Sequence, residues 1–108
     1  MERLFELVEK FNKKALDDEK LKQDLKGLEK KIEINFTDDG NYSFILKDGQ
    51  LSRFNGKFDR PDITVLISTD IFNSILNKEL DVLSAYITRK FTVKASLSDK
   101  LLISELLK

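Results

Sequence analysis

The chain has no cysteine and no histidine, and only one proline and four glycines among its 108 residues. Without histidine and cysteine, most nucleophile–base pairs and almost all zinc sites are excluded. The lack of thiols also fits a reducing compartment. The glycines (Gly27, Gly40, Gly49, Gly56) stand singly, so there is no glycine-rich loop to cradle a phosphate. No charge of one sign dominates either. The 19 basic and 19 acidic residues cancel, and they are interleaved, as in Glu2-Arg3, Glu9-Lys10 and Glu29-Lys30-Lys31-Glu33. Nucleic-acid binding needs a cationic surface and is not expected. No apolar run is long enough to cross a bilayer, and the charged, amphipathic start does not read as a signal peptide. These absences point to a single cytoplasmic domain over residues 1–108, large enough for one core, with no enzymatic activity, no metal and no cofactor.

What is present is a clear change of periodicity. In Glu2–Ala15, Leu4, Leu7, Val8, Phe11 and Ala15 recur at helical spacing. A short helix with Leu21 and Leu25 follows and stops at Gly27. Asp17-Asp18-Glu19 reads as its N-terminal cap rather than as a metal site. The period then becomes two. Ile32, Ile34 and Phe36 alternate with polar residues, as do Tyr42, Phe44 and Leu46, and a weaker third strand runs from Leu51 to Phe58. Asp38-Asp39-Gly40-Asn41 and Asp48-Gly49 between these segments predict an antiparallel meander. Asp38-Asp39-Gly40-Asn41 lacks the ligand spacing of a calcium loop.

From Pro61 onward the chain is rich in apolar residues. Ile63–Ile67 predicts a buried, central strand. Ser68 or Thr69 can cap a helix carrying Ile71, Phe72, Ile75 and Leu76. Asp81 can cap a shorter one, Val82–Ile87, with almost no polar side, which predicts burial around most of its circumference. Phe91–Ser96 predicts a fifth strand. A last helix, capped by Ser98, puts Leu102, Ile103, Leu106 and Leu107 on one stripe.

The order and spacing of several of these segments resemble the sterol carrier protein type 2 domain. Leu25-Lys26-Gly27-Leu28 leading into Ile32–Phe36 looks like that family's approach to its first strand, and Asp48-Gly49 like its hairpin turn. Pro61-Asp62-Ile63-Thr64-Val65-Leu66-Ile67 looks like its Asp-x-Thr-hydrophobic strand. Leu83-Ser84-Ala85-Tyr86 followed by Lys90-Phe91-Thr92-Val93 is similar to its Ser/Ala-aromatic helix and last strand. Three positions where the family often has glycine are Lys78, Arg89 and Ala95 here, and none is expected to require glycine. Thr88 stands where relatives often place glutamine.

The resemblance implies an α+β domain. A five-stranded mixed sheet with helices packed on one face would enclose an apolar tunnel for a sterol, fatty acid, acyl-coenzyme A or isoprenoid. It implies that Phe72, Leu76, Leu83, Tyr86, Ile87, Phe91, Leu102 and Leu106 line the tunnel; spacing alone reads them as ordinary core. Thr88, Arg89 and Lys90 are the headgroup candidates. The expected role is non-catalytic lipid binding or transfer, with at most transient membrane contact and a homodimer as a further option. The alternative is an interaction or dimerisation module, or an accessory to an enzyme that modifies lipids or quinones.

Overall fold

Helix α1 (Glu2–Asp17) buries Leu4, Leu7, Val8, Phe11 and Ala15, the stripe that its spacing marks as apolar. In the computed structural model, which describes residues 1–107, α2 (Glu19–Leu25) follows at once. The Asp18 carboxylate accepts the Leu21 N–H at 3.2 Å, so the acidic triplet does supply a cap.

Strands β1 (Glu29–Phe36), β2 (Asn41–Lys47) and β3 (Gln50–Phe54) form the antiparallel meander. Asp48 and Gly49 between β2 and β3 have φ of 54° and 77°, the two left-handed residues of a tight hairpin turn. Strand β4 (Ile63–Ile67) pairs parallel with β1, and β5 (Thr92–Lys94) pairs antiparallel with β4. The sheet is therefore mixed, with the order β3-β2-β1-β4-β5.

Pairing register puts Ile32, Ile34, Phe36, Phe44, Leu46, Leu51, Ile63, Val65 and Ile67 on one face, and all nine are buried. The helices supply the other half of this core. Among the described residues, the opposite face lacks a helical layer. There Leu66 is 46 % exposed, so β4 is central but not buried throughout as its apolar run predicts. The third strand also ends earlier than Phe58. The chain leaves the sheet after Phe54, and Phe58 folds back to stack on Phe54 at 4.5 Å. Its N–H donates to the buried Glu33 carboxylate at 2.9 Å.

Three more helices complete the domain. Before α3 (Thr69–Leu76), the Ser68 hydroxyl accepts the Ile71 N–H at 3.2 Å. The Asp38 carboxylate accepts both the N–H and the hydroxyl of Thr69 at 2.9 Å, tying the β1–β2 turn to α3. The backbone bond above all, then the hydroxyl, holds that carboxyl below the usual carboxylate range. Helix α4 (Val82–Ile87) is capped by Asp81, which accepts the Ser84 N–H at 3.0 Å. Helix α5 (Leu97–Leu107) starts earlier than expected. Its cap is Ser96, whose hydroxyl accepts the Asp99 N–H at 3.2 Å and whose carbonyl accepts the Lys100 N–H at 2.9 Å. Ser98 therefore sits inside the first turn. Either serine supplies the needed oxygen, and only the path out of β5 selects between them.

Two of the three substituted glycine positions are left-handed after all. Lys78 and Arg89 have φ of 63° and 60°; Ala95 does not share this conformation. Each terminates a helix in the same way. The N–H of Lys78 donates to Ile75 O and that of Glu79 to Ser74 O. The N–H of Arg89 donates to Tyr86 O and that of Lys90 to Ala85 O. This is the Schellman closure, in which glycine is favoured because a Cβ crowds the carbonyl. Replacing Lys78 or Arg89 with glycine should raise the unfolding free energy by about 0.5–1 kcal/mol each, the left-handed strain less glycine's added chain entropy. Urea denaturation of each variant measures it; a loss of stability would mean that the long side chains contribute more than the strain costs.

Candidate functional site

The pocket that best combines apolar lining with a single charge lies where α4, β5 and α5 meet. Its volume is about 240 Å³. Helix α4 contributes Val82, Leu83 and Tyr86, the β5 segment Phe91 and Val93, and α5 Leu97, Lys100, Leu101, Ile103 and Ser104. The aromatic wall is Tyr86 beside Phe91, with ring centroids 5.9 Å apart and planes tilted by 55°. The Lys100 ammonium stands 5.6 Å from the centroid of the Tyr86 ring, within cation–π range. The neighbouring Asp99 carboxylate does not neutralise it, because Asp99 is buried and paired with Lys30 at 3.2 Å. Lys100 is thus the one charged side chain in the lining.

Contrary to what its composition predicts, helix α4 is not buried around most of its circumference. Only Ala85 is buried on this helix, while Leu83 is 61 % and Ile87 68 % exposed. An apolar circumference predicts burial only if some layer covers each side. This two-turn helix lies against α5 and has one side uncovered among the described residues.

The lining residues expected from the sequence divide among several places. Leu83, Tyr86 and Phe91 come together in this pocket. Phe72 and Leu106 instead border a void of about 10 Å³ in the main core, with Leu4, Leu7 and Ile34 among its other walls. That void is apolar and barely the size of one water, so it stays dry. Leu76 packs, partly buried, against the same core. Leu102 faces a different groove, about 360 Å³, between α2 and α5. This groove is larger but carries Asp18, Lys20, Asp24 and Glu105 around Leu21, Leu25 and Leu28, so it suits an apolar ligand less. Ile87 projects outside the pocket lining.

Thr88, Arg89 and Lys90 are exposed and also lie outside the lining. The Thr88 hydroxyl donates to Ser84 O at 2.7 Å, closing the end of α4. The sequence reading did not single out Leu97, Lys100 and Leu101. A signal was available: Leu97 and Leu101 are four residues apart and off the stripe of Ile103, Leu106 and Leu107, so α5 carries a second apolar line. Ile103 joins the pocket to the core, since it borders both the pocket and the void around Phe72.

The sequence model of the SCP-2 sterol transfer family matches residues 8–108. No curated protein matches the sequence significantly. Among solved structures, the chain is similar to the UbiJ-SCP2 ubiquinone synthesis protein, with a TM-score of 0.72 and 10% identity over 96% of this chain and 91% of that one. It is similar to sterol carrier protein 2-like 2 of Aedes aegypti in its palmitated form, with a TM-score of 0.62 and 20% identity over 94% and 90%. It is also similar to part of the sec-alkylsulfatase Pisa1 from Pseudomonas sp., with a TM-score of 0.63 and 18% identity over 81% of this chain. The matched region spans only 14% of the sulfatase. At these identities the likeness is one of fold.

Proposed function

This chain belongs to the SCP-2 sterol transfer family, and from that premise we propose that it binds and releases a single-chain lipid in the pocket between α4, β5 and α5. The role is that of a carrier, without catalysis. The observation that carries this reading is a pocket whose lining is apolar save for Lys100 and Ser104. Lys100 takes the headgroup role that the sequence reading assigned to Thr88, Arg89 and Lys90. A carboxylate meeting Lys100 leaves the acyl chain against Leu83, Tyr86 and Phe91, with Ile103 between the chain and the core.

Magnitudes set the expected affinity. Each buried methylene contributes about 0.8 kcal/mol, so roughly ten carbons supply about 8 kcal/mol before ordering costs. Micromolar binding is then the ceiling. The pocket, at about 240 Å³, lies just below the usual small-molecule range of roughly 300–1,000 Å³. A longer chain must part Ile103 from its neighbours and extend towards the void at Phe72, which would join the two spaces into the tunnel that the family resemblance implies. The likeness to a ubiquinone synthesis protein is consistent with isoprenoid ligands but does not favour them over acyl chains.

The test is displacement of a fluorescent fatty acid, together with native mass spectrometry of protein purified without detergent. A homogeneous mass with no bound lipid, and no displaceable binding at high micromolar concentration, would sink the carrier reading. Lys100→Glu should weaken fatty-acid binding by about tenfold or more, since it turns an attraction into a like-charge contact at a partly dry site. The same variant should leave a fatty alcohol of equal length within about twofold. Equal losses for acid and alcohol would remove Lys100 from the headgroup role.

A further inference from the structure

On the reading of this pocket as a lipid site, we infer that Lys30, outside the lining at the start of β1, decides which headgroup charge the pocket accepts. The whole lining comes from residues 82–104, and Asp99 is the one acidic residue in that segment. It directly precedes Lys100 on α5 and is buried. A carboxylate in that position opposes the entry of a second carboxylate and offsets the attraction that Lys100 supplies. Lys30 removes this obstacle. Its register partner is Leu46, so its side chain rises on the sheet face that the helices cover. There its ammonium stands 3.2 Å from Asp99 Oδ1, and the two side chains keep only 26 % and 10 % of their surface in water. A pair so far out of solvent is screened little by salt.

The other elements around the pocket do not supply this charge. Helix α4 and strand β4 carry no charged residue. Lys94 of β5 pairs in register with Thr64 and so projects on the opposite face of the sheet. Glu105, on the last turns of α5, has Lys14 at 3.3 Å. The first turn of α5 offsets part of the Asp99 charge through its partial positive end, but only a cation offsets it in full. Lys30, Asp99 and Lys100 together carry one net positive charge. Loss of the Lys30 charge leaves none, loss of the Asp99 charge leaves two, and loss of both restores one. Lys30 is thus a positioning residue: it fixes the Asp99 carboxylate away from the ligand and leaves Lys100 free to meet an anionic headgroup. The consequence is an order of affinities for anionic ligands that a merely structural pin between β1 and α5 would not produce.

The experiment is displacement of a neutral fluorescent probe, Nile red, by lauric acid and by lauryl alcohol at neutral pH, with circular dichroism of each variant. Lys30→Met should weaken lauric acid about fivefold or more and leave lauryl alcohol within about twofold. Asp99→Asn should bind the acid about threefold tighter than the parent chain. The double variant Lys30→Met/Asp99→Asn should return to the parent affinity within about twofold, because Lys100 is again the one uncompensated charge. A structural pin would instead weaken acid and alcohol alike, and the second substitution would not restore either. Lys30→Met leaves a buried carboxylate unpaired and is the variant most exposed to misfolding. In that event the other two decide, since neither retains the Asp99 charge. The role of Lys30 is overturned if Lys30→Met loses acid and alcohol equally, if Asp99→Asn loses acid affinity, or if the double variant falls below the parent chain. A parent chain from which neither ligand displaces the probe overturns the pocket reading, and the role of Lys30 with it. A parent chain that prefers the acid, with that preference unchanged in all three variants, overturns the role of Lys30 alone.

Discussion

Phe72→Ala should lower the unfolding free energy by about 3–5 kcal/mol, against a total of about 5–15 kcal/mol for a domain of this kind. Phe72 is 1 % exposed and already borders a void, so the deleted ring leaves a cavity with little to fill it. Its ring meets Phe36 edge-on at 5.2 Å and 80°. Phe36 in turn meets Tyr42 at 5.9 Å, and Tyr42 meets Phe5 at 5.6 Å, both near-perpendicular. One truncation therefore loosens the end of a continuous aromatic row from α3 across the sheet to α1. Chemical denaturation measures the loss. A change below about 1.5 kcal/mol would show that neighbouring side chains collapse into the space, and that this part of the core is softer than its burial indicates.

Leu83→Glu should have the opposite profile. At 61 % exposed, Leu83 can carry a carboxylate in water, so stability should change by no more than about 0.5 kcal/mol. Fatty-acid affinity should fall by more than about tenfold, because the new charge stands in the lining and repels the ligand's own carboxylate. Displacement titration and denaturation on the same preparation check both halves of this expectation. Unchanged affinity in a folded variant would take α4 out of the site.

The two substitutions also mark where sequence reading succeeds and where it stops. Turn and cap chemistry is local, so the Asp48-Gly49 turn and the caps at Asp18, Ser68 and Asp81 were legible from residue types alone. The five strands and the mixed sheet followed from periodicity together with the family resemblance. The sides on which a helix is covered are not local. Val82–Ile87 looks like a buried helix because composition cannot report what lies against it. For the same reason Phe72 and Leu83 looked alike, although one is core and the other rim. Lys78 and Arg89 hid their left-handed backbone because a lysine or arginine does not announce it as glycine does. Lys100 was missed because its importance comes from the pairing of Asp99 with Lys30, a contact between distant segments.

The parallel β1–β4 pair has a consequence for the order of assembly. The β1–β2–β3 meander joins neighbours through short turns, whereas Ile32 meets Ile63 only after the intervening chain has folded back. Closing that longer loop costs chain entropy before its contacts contribute, so it belongs to the slower part of folding. Every pocket-lining residue follows β4 in the chain, and among the described residues β5 pairs with β4 alone. The pocket end therefore takes shape on a scaffold that the chain up to Ile67 completes, and a chain still emerging from synthesis can hold its meander before it can form this pocket.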